Sequence, residues 1–133
     1  MVETKLNFFL IGAPKAGTTL IHERLSRHPQ VFLSPIKEPN HFSTDIDTSR
    51  FSKSFKANTP DDLNRYFIQK PLASRQVAFV RDAGQYASLF EGATPAHSVV
   101  GECSTSYLNS LDAPANIAAA HPQARILIAL RNP

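Results

Sequence analysis

The stretch Leu6-Asn7-Phe8-Phe9-Leu10-Ile11-Gly12-Ala13-Pro14-Lys15-Ala16-Gly17-Thr18-Thr19 passes from an apolar run into a glycine-bounded loop. Its first six residues mix aromatic and branched side chains and end at a glycine, which is how a buried strand reads. From Thr18 the spacing turns helical. Leu20, Ile21 and Leu25 share a face, and Glu23 stands four residues ahead of Arg27. His28-Pro29 stops that helix, and Val31-Phe32-Leu33 predicts a second strand. Strand, loop, helix, strand is the unit from which parallel sheets are built.

Working outward, residues 35–58 predict loop, because Pro35 and Pro39 stand in a stretch rich in Ser, Thr and Asn. Thr59-Pro60-Asp61-Asp62 predicts a helix start: a capping threonine, a first-turn proline and two acids at the positive end. That helix is expected to run to about Gln69. A further helix is expected from Ala83 to Phe90, ended by Gly92, and a strand from Ser98 to Glu102. Ala113 to Ala120 reads as an alanine-rich helix stopped by His121-Pro122. Arg125 to Leu130 reads as a strand, with Arg131-Asn132-Pro133 starting the next loop. The expected fold class is α/β, a P-loop-type three-layer fold with a central parallel sheet. Ligands of such sheets bind outside the carboxyl ends of the strands. The chain stops at one such end with no return helix after it, so the domain is expected to continue past Pro133.

Composition narrows the function. A length of 133 residues fits one domain. With 42% apolar and 19% charged residues, a disordered or fibrous chain is excluded. The single cysteine, Cys103, allows no internal disulfide and no cysteine zinc site, and no metal-ligand cluster is evident. The net charge of +3 suits an anionic small ligand, but the basic residues do not gather into a nucleic-acid-binding run. No stretch approaches the ~20 apolar residues of a membrane span. The N-terminal apolar run follows Glu3 and is broken by Asn7 and Gly12, so it reads as a strand and not as a secretory leader. The expected compartment is the cytoplasm, consistent with a free thiol.

The loop carries the chemistry. Between a strand and a helix, successive backbone N–H groups of the loop and the positive helix end make a phosphate cradle. Lys15 adds a point charge, and Thr18 and Thr19 add hydroxyl donors. A nucleoside-triphosphatase loop needs Gly, four residues, then Gly-Lys-Ser/Thr. Gly12 and Gly17 have that spacing, but Thr18 stands where the lysine belongs and Lys15 lies inside the loop. This arrangement resembles the sulfotransferase family, in its bacterial and heparan-sulfate-type branch. The family's loop binds the 5'-phosphosulfate of PAPS (3'-phosphoadenosine 5'-phosphosulfate). Three more segments resemble that family in the right order. Lys37-Glu38-Pro39-Asn40-His41-Phe42 is similar to its Lys-Glu-Pro-x-x-Phe segment. Gly101-Glu102-Cys103-Ser104-Thr105-Ser106-Tyr107-Leu108 is similar to Gly-Glu-x-x-x-Ser-Tyr-Leu. Ile128-Ala129-Leu130-Arg131-Asn132-Pro133 is similar to the start of its 3'-phosphate motif.

The resemblance implies that residues 1–133 form the N-terminal, PAPS-binding part of a single sulfotransferase domain. It implies PAPS as co-substrate, no metal, and a hydroxyl or amine of a carbohydrate or small metabolite as acceptor. Pro14, Lys15, Ala16, Gly17, Thr18 and Thr19 would hold the 5'-phosphate end of the donor. Lys15 would also stabilise charge on the bridging oxygen, since sulfuryl transfer resembles phosphoryl transfer in depending on positioning and charge. Glu38 matches the family's catalytic glutamate, with His41 as rival base, because imidazole titrates near neutrality. Lys37 is a candidate contact for donor or acceptor. Arg131 matches the arginine that grips the 3'-phosphate, a task its bidentate fork suits. The family's serine some residues past this arginine falls beyond Pro133. Cys103 departs from many relatives, which carry Lys or another residue there, and reads as a small buried residue. Ser104 is a possible acceptor contact, while Phe32, Phe42, Tyr86, Phe90 and Tyr107 read as core. The rival classes are a P-loop kinase or NTPase and a non-catalytic nucleotide-binding module.

Overall fold

The structure is a computed structural model that describes residues 6–58 and 63–132. Its strands are β1 (Phe8–Leu10), β2 (Val31–Leu33), β3 (Ile36–Glu38), β4 (Arg75–Val77), β5 (Val99–Cys103) and β6 (Arg125–Leu127). Its α-helices are α1 (Thr18–Ser26), α2 (Lys53–Asn58), α3 (Leu63–Ile68), α4 (Ala83–Ser88) and α5 (Ala113–Ala120). Four strands form a parallel sheet in the order β2-β5-β1-β6. From β1 the chain moves out past β5 to β2, and from β5 it returns across β1 to β6. Right-handed crossovers in opposite directions put α1 and α5 on opposite faces, giving an α/β fold around a central parallel sheet. The switch in direction falls between β1 and β5, which is where ligands of such sheets bind.

The central strands are buried as a parallel sheet requires. Phe9 and Leu10 of β1 are buried, and so are Val100 to Cys103 of β5. Gly101 lets the two strands approach. A Cβ built there would lie 2.1 Å from the Phe8 carbonyl oxygen, a separation no side chain tolerates. One face of the sheet packs on an aromatic cluster. Phe9 meets Phe42 at 5.8 Å between ring centroids, Phe42 meets Tyr86 at 5.4 Å, and Tyr86 meets Phe90 at 5.3 Å. Such edge contacts stabilise beyond simple area burial. Phe42, Tyr86, Phe90 and Tyr107 are core as expected, whereas Phe32 is only partly buried.

Several local expectations change. Residues 35–58 are not all loop: they contain β3, a 3-10 turn at Thr48–Arg50 and α2. β3 pairs in parallel with β4, also unforeseen, as a separate two-stranded sheet. The prolines that made this stretch read as loop still serve as acceptors. Arg75 N–H donates to the Pro35 carbonyl (3.0 Å) and Val80 N–H to the Pro39 carbonyl (2.9 Å). The Thr59 to Asp62 helix start lies outside the described residues, as does Pro133, and helix is described from Leu63. On α1, Leu20 is exposed, while Ile21 and Leu25 are half-buried and Thr18 is buried. The ladder of β6 continues past Leu127, with Ala13 N–H donating to Ala129 and Ala129 N–H to Gly12.

Candidate functional site

The loop between β1 and α1 is built as the sequence predicts. Gly17 caps α1 in the left-handed conformation (φ 81°), which glycine adopts without strain. Lys15 also has a positive φ (63°), a conformation that costs energy for a residue with a Cβ and clusters at functional sites. No side chain caps the start of α1, and its first turn carries no acid. The helix therefore presents free N–H donors and the positive end of its dipole to an anion. These features fit a phosphate group. The Ala16 amide is already engaged, donating to the Ala13 carbonyl at 3.2 Å.

The loop faces Glu38 across a pocket of about 320 Å³. Pro14, Lys15, Gly17, Thr18 and Thr19 line one side, and Lys37, Glu38 and Thr105 the other. Lys37 Nζ lies 2.9 Å from Glu38 Oε1, with the lysine buried and the glutamate 18% exposed. Thr105 Oγ1 donates to the other carboxylate oxygen at 3.2 Å. A carboxylate oxygen has two lone pairs, so each oxygen of Glu38 keeps one for a substrate proton. Thr105 went unnoticed in the sequence, although it lies inside the Gly-Glu-x-x-x-Ser-Tyr-Leu segment. Asn40 ties Glu38 to the segment that carries Thr105. Its amide donates to the carbonyls of Glu38 and Ala78, both at 2.9 Å, and its side-chain oxygen accepts from Ser106 (2.6 Å). Its backbone N–H donates to Ser104 Oγ at 3.0 Å.

Arg131 reaches the loop from the β6 side, where its guanidinium donates to the Lys15 carbonyl at 3.4 Å. His41, the rival base, does not line this pocket. Its ring stacks on Tyr86 at 4.1 Å and its Nδ1 lies 2.7 Å from the Val80 carbonyl. Burial, with the Arg81 charge, holds its pKa below the usual imidazole value. Ser104 is buried and occupied with Asn40. Cys103 is buried too, and burial pushes its thiol up to about 12, so it is inert as a nucleophile.

Glu102, on β5, is fully buried, and neither carboxyl oxygen has a hydrogen-bond partner among the described residues. Burial pushes its pKa up to about 7, although the nearby hydroxyls of Tyr107, Ser104 and Tyr86 pull against that rise. Among the described residues no cluster of His, Cys, Asp and Glu could hold a metal, and no helix is long and apolar enough to cross a membrane.

Comparison with known proteins finds relatives of one family. Residues 7–133 match the model of the Sulfotransferase family. Carbohydrate sulfotransferase 15 of Rattus norvegicus and of Homo sapiens are each 30% identical over 145 residues, covering 96% of this chain and 25% of theirs. The chain thus spans about a quarter of the length of these curated relatives. The crystal structure of a sulfotransferase from Alicyclobacillus acidocaldarius superposes with a TM-score of 0.69 at 31% identity, over 94% of this chain and 44% of that one.

Proposed function

The chain belongs to the sulfotransferase family, and from that premise we propose that it is the donor-binding part of an enzyme that moves a sulfuryl group from PAPS to a hydroxyl, or an amine, of a carbohydrate or small metabolite. The observation that carries this is the pocket in which an uncapped helix start with Lys15 faces a polar, partnered carboxylate, Glu38. The reaction breaks the bond from sulfur to the 5'-phosphate oxygen and forms one to the acceptor oxygen, or to nitrogen where the acceptor is an amine. Lys15 meets the charge that grows on the departing phosphate oxygen. Glu38 takes the acceptor's proton. The α1 amides and the Thr18 and Thr19 hydroxyls hold the 5'-phosphate, and Arg131 grips the 3'-phosphate. Preorganised charge of this kind supplies most of the rate enhancement in many transfer reactions, and a positioned base adds about 100- to 10,000-fold.

Calorimetry with adenosine 3',5'-bisphosphate against ATP with magnesium tests the reading. The bisphosphate is expected to bind the tighter of the two, and tighter binding of ATP would favour a P-loop NTPase instead. Lys15→Ala in the full-length protein is expected to abolish donor binding or turnover. Normal turnover in that variant sinks the assignment.

A further inference from the structure

β3 belongs to a separate two-stranded sheet, so the ladder of the four-stranded sheet does not hold Glu38 in place. A pair of three-residue strands is marginal on its own. Glu38 and Thr105 nevertheless meet at 3.2 Å across 67 positions of sequence. The bonds that bring them together converge on one side chain, two residues past Glu38.

Asn40 is 2% exposed, and its backbone has a positive φ of 51°. Asparagine is among the few residues with a Cβ that enter this region readily. One of its amide hydrogens goes to the Glu38 carbonyl and the other to the Ala78 carbonyl, both at 2.9 Å. These carbonyls stand at the ends of the paired strands, where Ala78 N–H also donates to Glu38 (3.0 Å). The side-chain oxygen accepts from Ser106 Oγ at 2.6 Å, and the backbone N–H donates to Ser104 Oγ at 3.0 Å. The backbone carbonyl accepts from Ser43 Oγ (3.1 Å) and from the half-buried Arg81 guanidinium (3.2 Å). Ser104 and Ser106 flank Thr105. Asn40 thus grips the residue on either side of the threonine while it holds the backbone of the glutamate. A side-chain amide is suited to this: it offers two donors and an acceptor, whereas a carboxylate only accepts and a hydroxyl has a single hydrogen. In a buried setting such a satisfied network rigidifies what it connects. Asn40 does not itself line the loop pocket.

We propose that Asn40 is a positioning residue for the transfer step: it holds the Glu38 carboxylate against Thr105 and touches neither donor nor acceptor. The proposal rests on the reading of Glu38 as the base of a sulfotransferase. Misplacing a reacting group by about 1 Å can cost about 100-fold in rate. Asn40→Gly removes the side chain and keeps the backbone conformation, because glycine takes a positive φ freely. In the full-length protein, assayed with PAPS and a saccharide acceptor, this variant is expected to lower kcat about 100-fold. The affinity for adenosine 3',5'-bisphosphate is expected to stay the same. In a Glu38→Gln background the same change is expected to do little more, because groups that act as a unit are not additive. An equal fall in both backgrounds, or a fall in neither, overturns the proposal. A crystal structure of Asn40→Gly supplies a readout free of activity. Thr105 Oγ1 is expected beyond hydrogen-bond reach of Glu38, and a retained contact counts against the role. Should Asn40→Gly fail to fold, Ser106→Ala decides, since it leaves the backbone at Asn40 untouched. It is expected to lower kcat about tenfold, the scale of one hydrogen bond, and Ser106→Thr to restore it. Unchanged kcat in Ser106→Ala overturns the proposal. A wild-type protein that neither binds the bisphosphate nor transfers sulfate overturns the sulfotransferase reading itself, a different result.

Discussion

Glu38 and Glu102 stand near the carboxyl ends of two parallel strands, close enough for the charge on one to raise the pKa of the other. Their surroundings differ in every other respect. Glu38 opens onto the pocket, with Lys37 on one oxygen and Thr105 on the other. Glu102 is closed off from water, and neither of its oxygens has a partner among the described residues. A carboxylate with a cation, a hydroxyl and a free lone pair facing a pocket is equipped to take a proton from a substrate. A carboxyl shut beneath tyrosine hydroxyls is driven toward its neutral form, and the fold itself feels its titration.

The largest expected effect falls on Glu38. Glu38→Gln is expected to lower kcat about 100- to 10,000-fold with donor affinity retained, measured with PAPS and a saccharide acceptor. If Glu102→Gln rather than Glu38→Gln had that effect, the two roles would have to be exchanged. Next comes stability. The Glu102 pKa is about 7 when folded against an ordinary value of 4.5, so the folded state binds more protons between those limits. Its contribution is therefore full below about pH 4.5 and is lost as pH rises to about 7, a change of about 3 kcal/mol. His22, His41 and His121, held below their usual value mainly by burial, act in the opposite sense. The measurement is thus the difference between wild type and Glu102→Gln in urea unfolding at pH 5 and pH 7.5. An identical pH dependence in the two proteins would remove Glu102 from the account. The smallest effect sharpens the description of Glu38. Thr105→Val is expected to cost about tenfold in kcat, the scale of one hydrogen bond to a charged group, and Thr105→Ser to restore it. In a Glu38→Gln background the same change is expected to do little more, because groups acting as a unit are not additive.

The loop from Gly12 to Thr19 was legible because all its information is local: an apolar run, two glycines and a helix start. Glu38 and Arg131 were legible only through resemblance, and the structure brings Glu38 to the loop pocket and Arg131 to the loop's other flank. β3 was not legible. It is three residues between two prolines, too short for a period to show, and its partner β4 (Arg-Gln-Val) has only one half-buried residue. What makes them strands is pairing across nearly forty positions, aided by proline carbonyls that no composition rule counts. Thr105 was missed for a similar reason. A hydroxyl acquires meaning from what faces it, and Glu38 comes from elsewhere in the chain. Glu102 stood inside a quoted motif, yet its isolation depends on Tyr86 and Tyr107 closing over it.

The tight contact at Gly101 gives this arrangement its alignment. β1 leads into the loop that carries Lys15 and β5 leads to Thr105, so the width of the pocket between them depends on a position with no side chain at all. A methyl group there would remove no reactive atom and break no hydrogen bond at the pocket. It would wedge the two strands apart, and Lys15 and Thr105 would remain intact but out of true with each other.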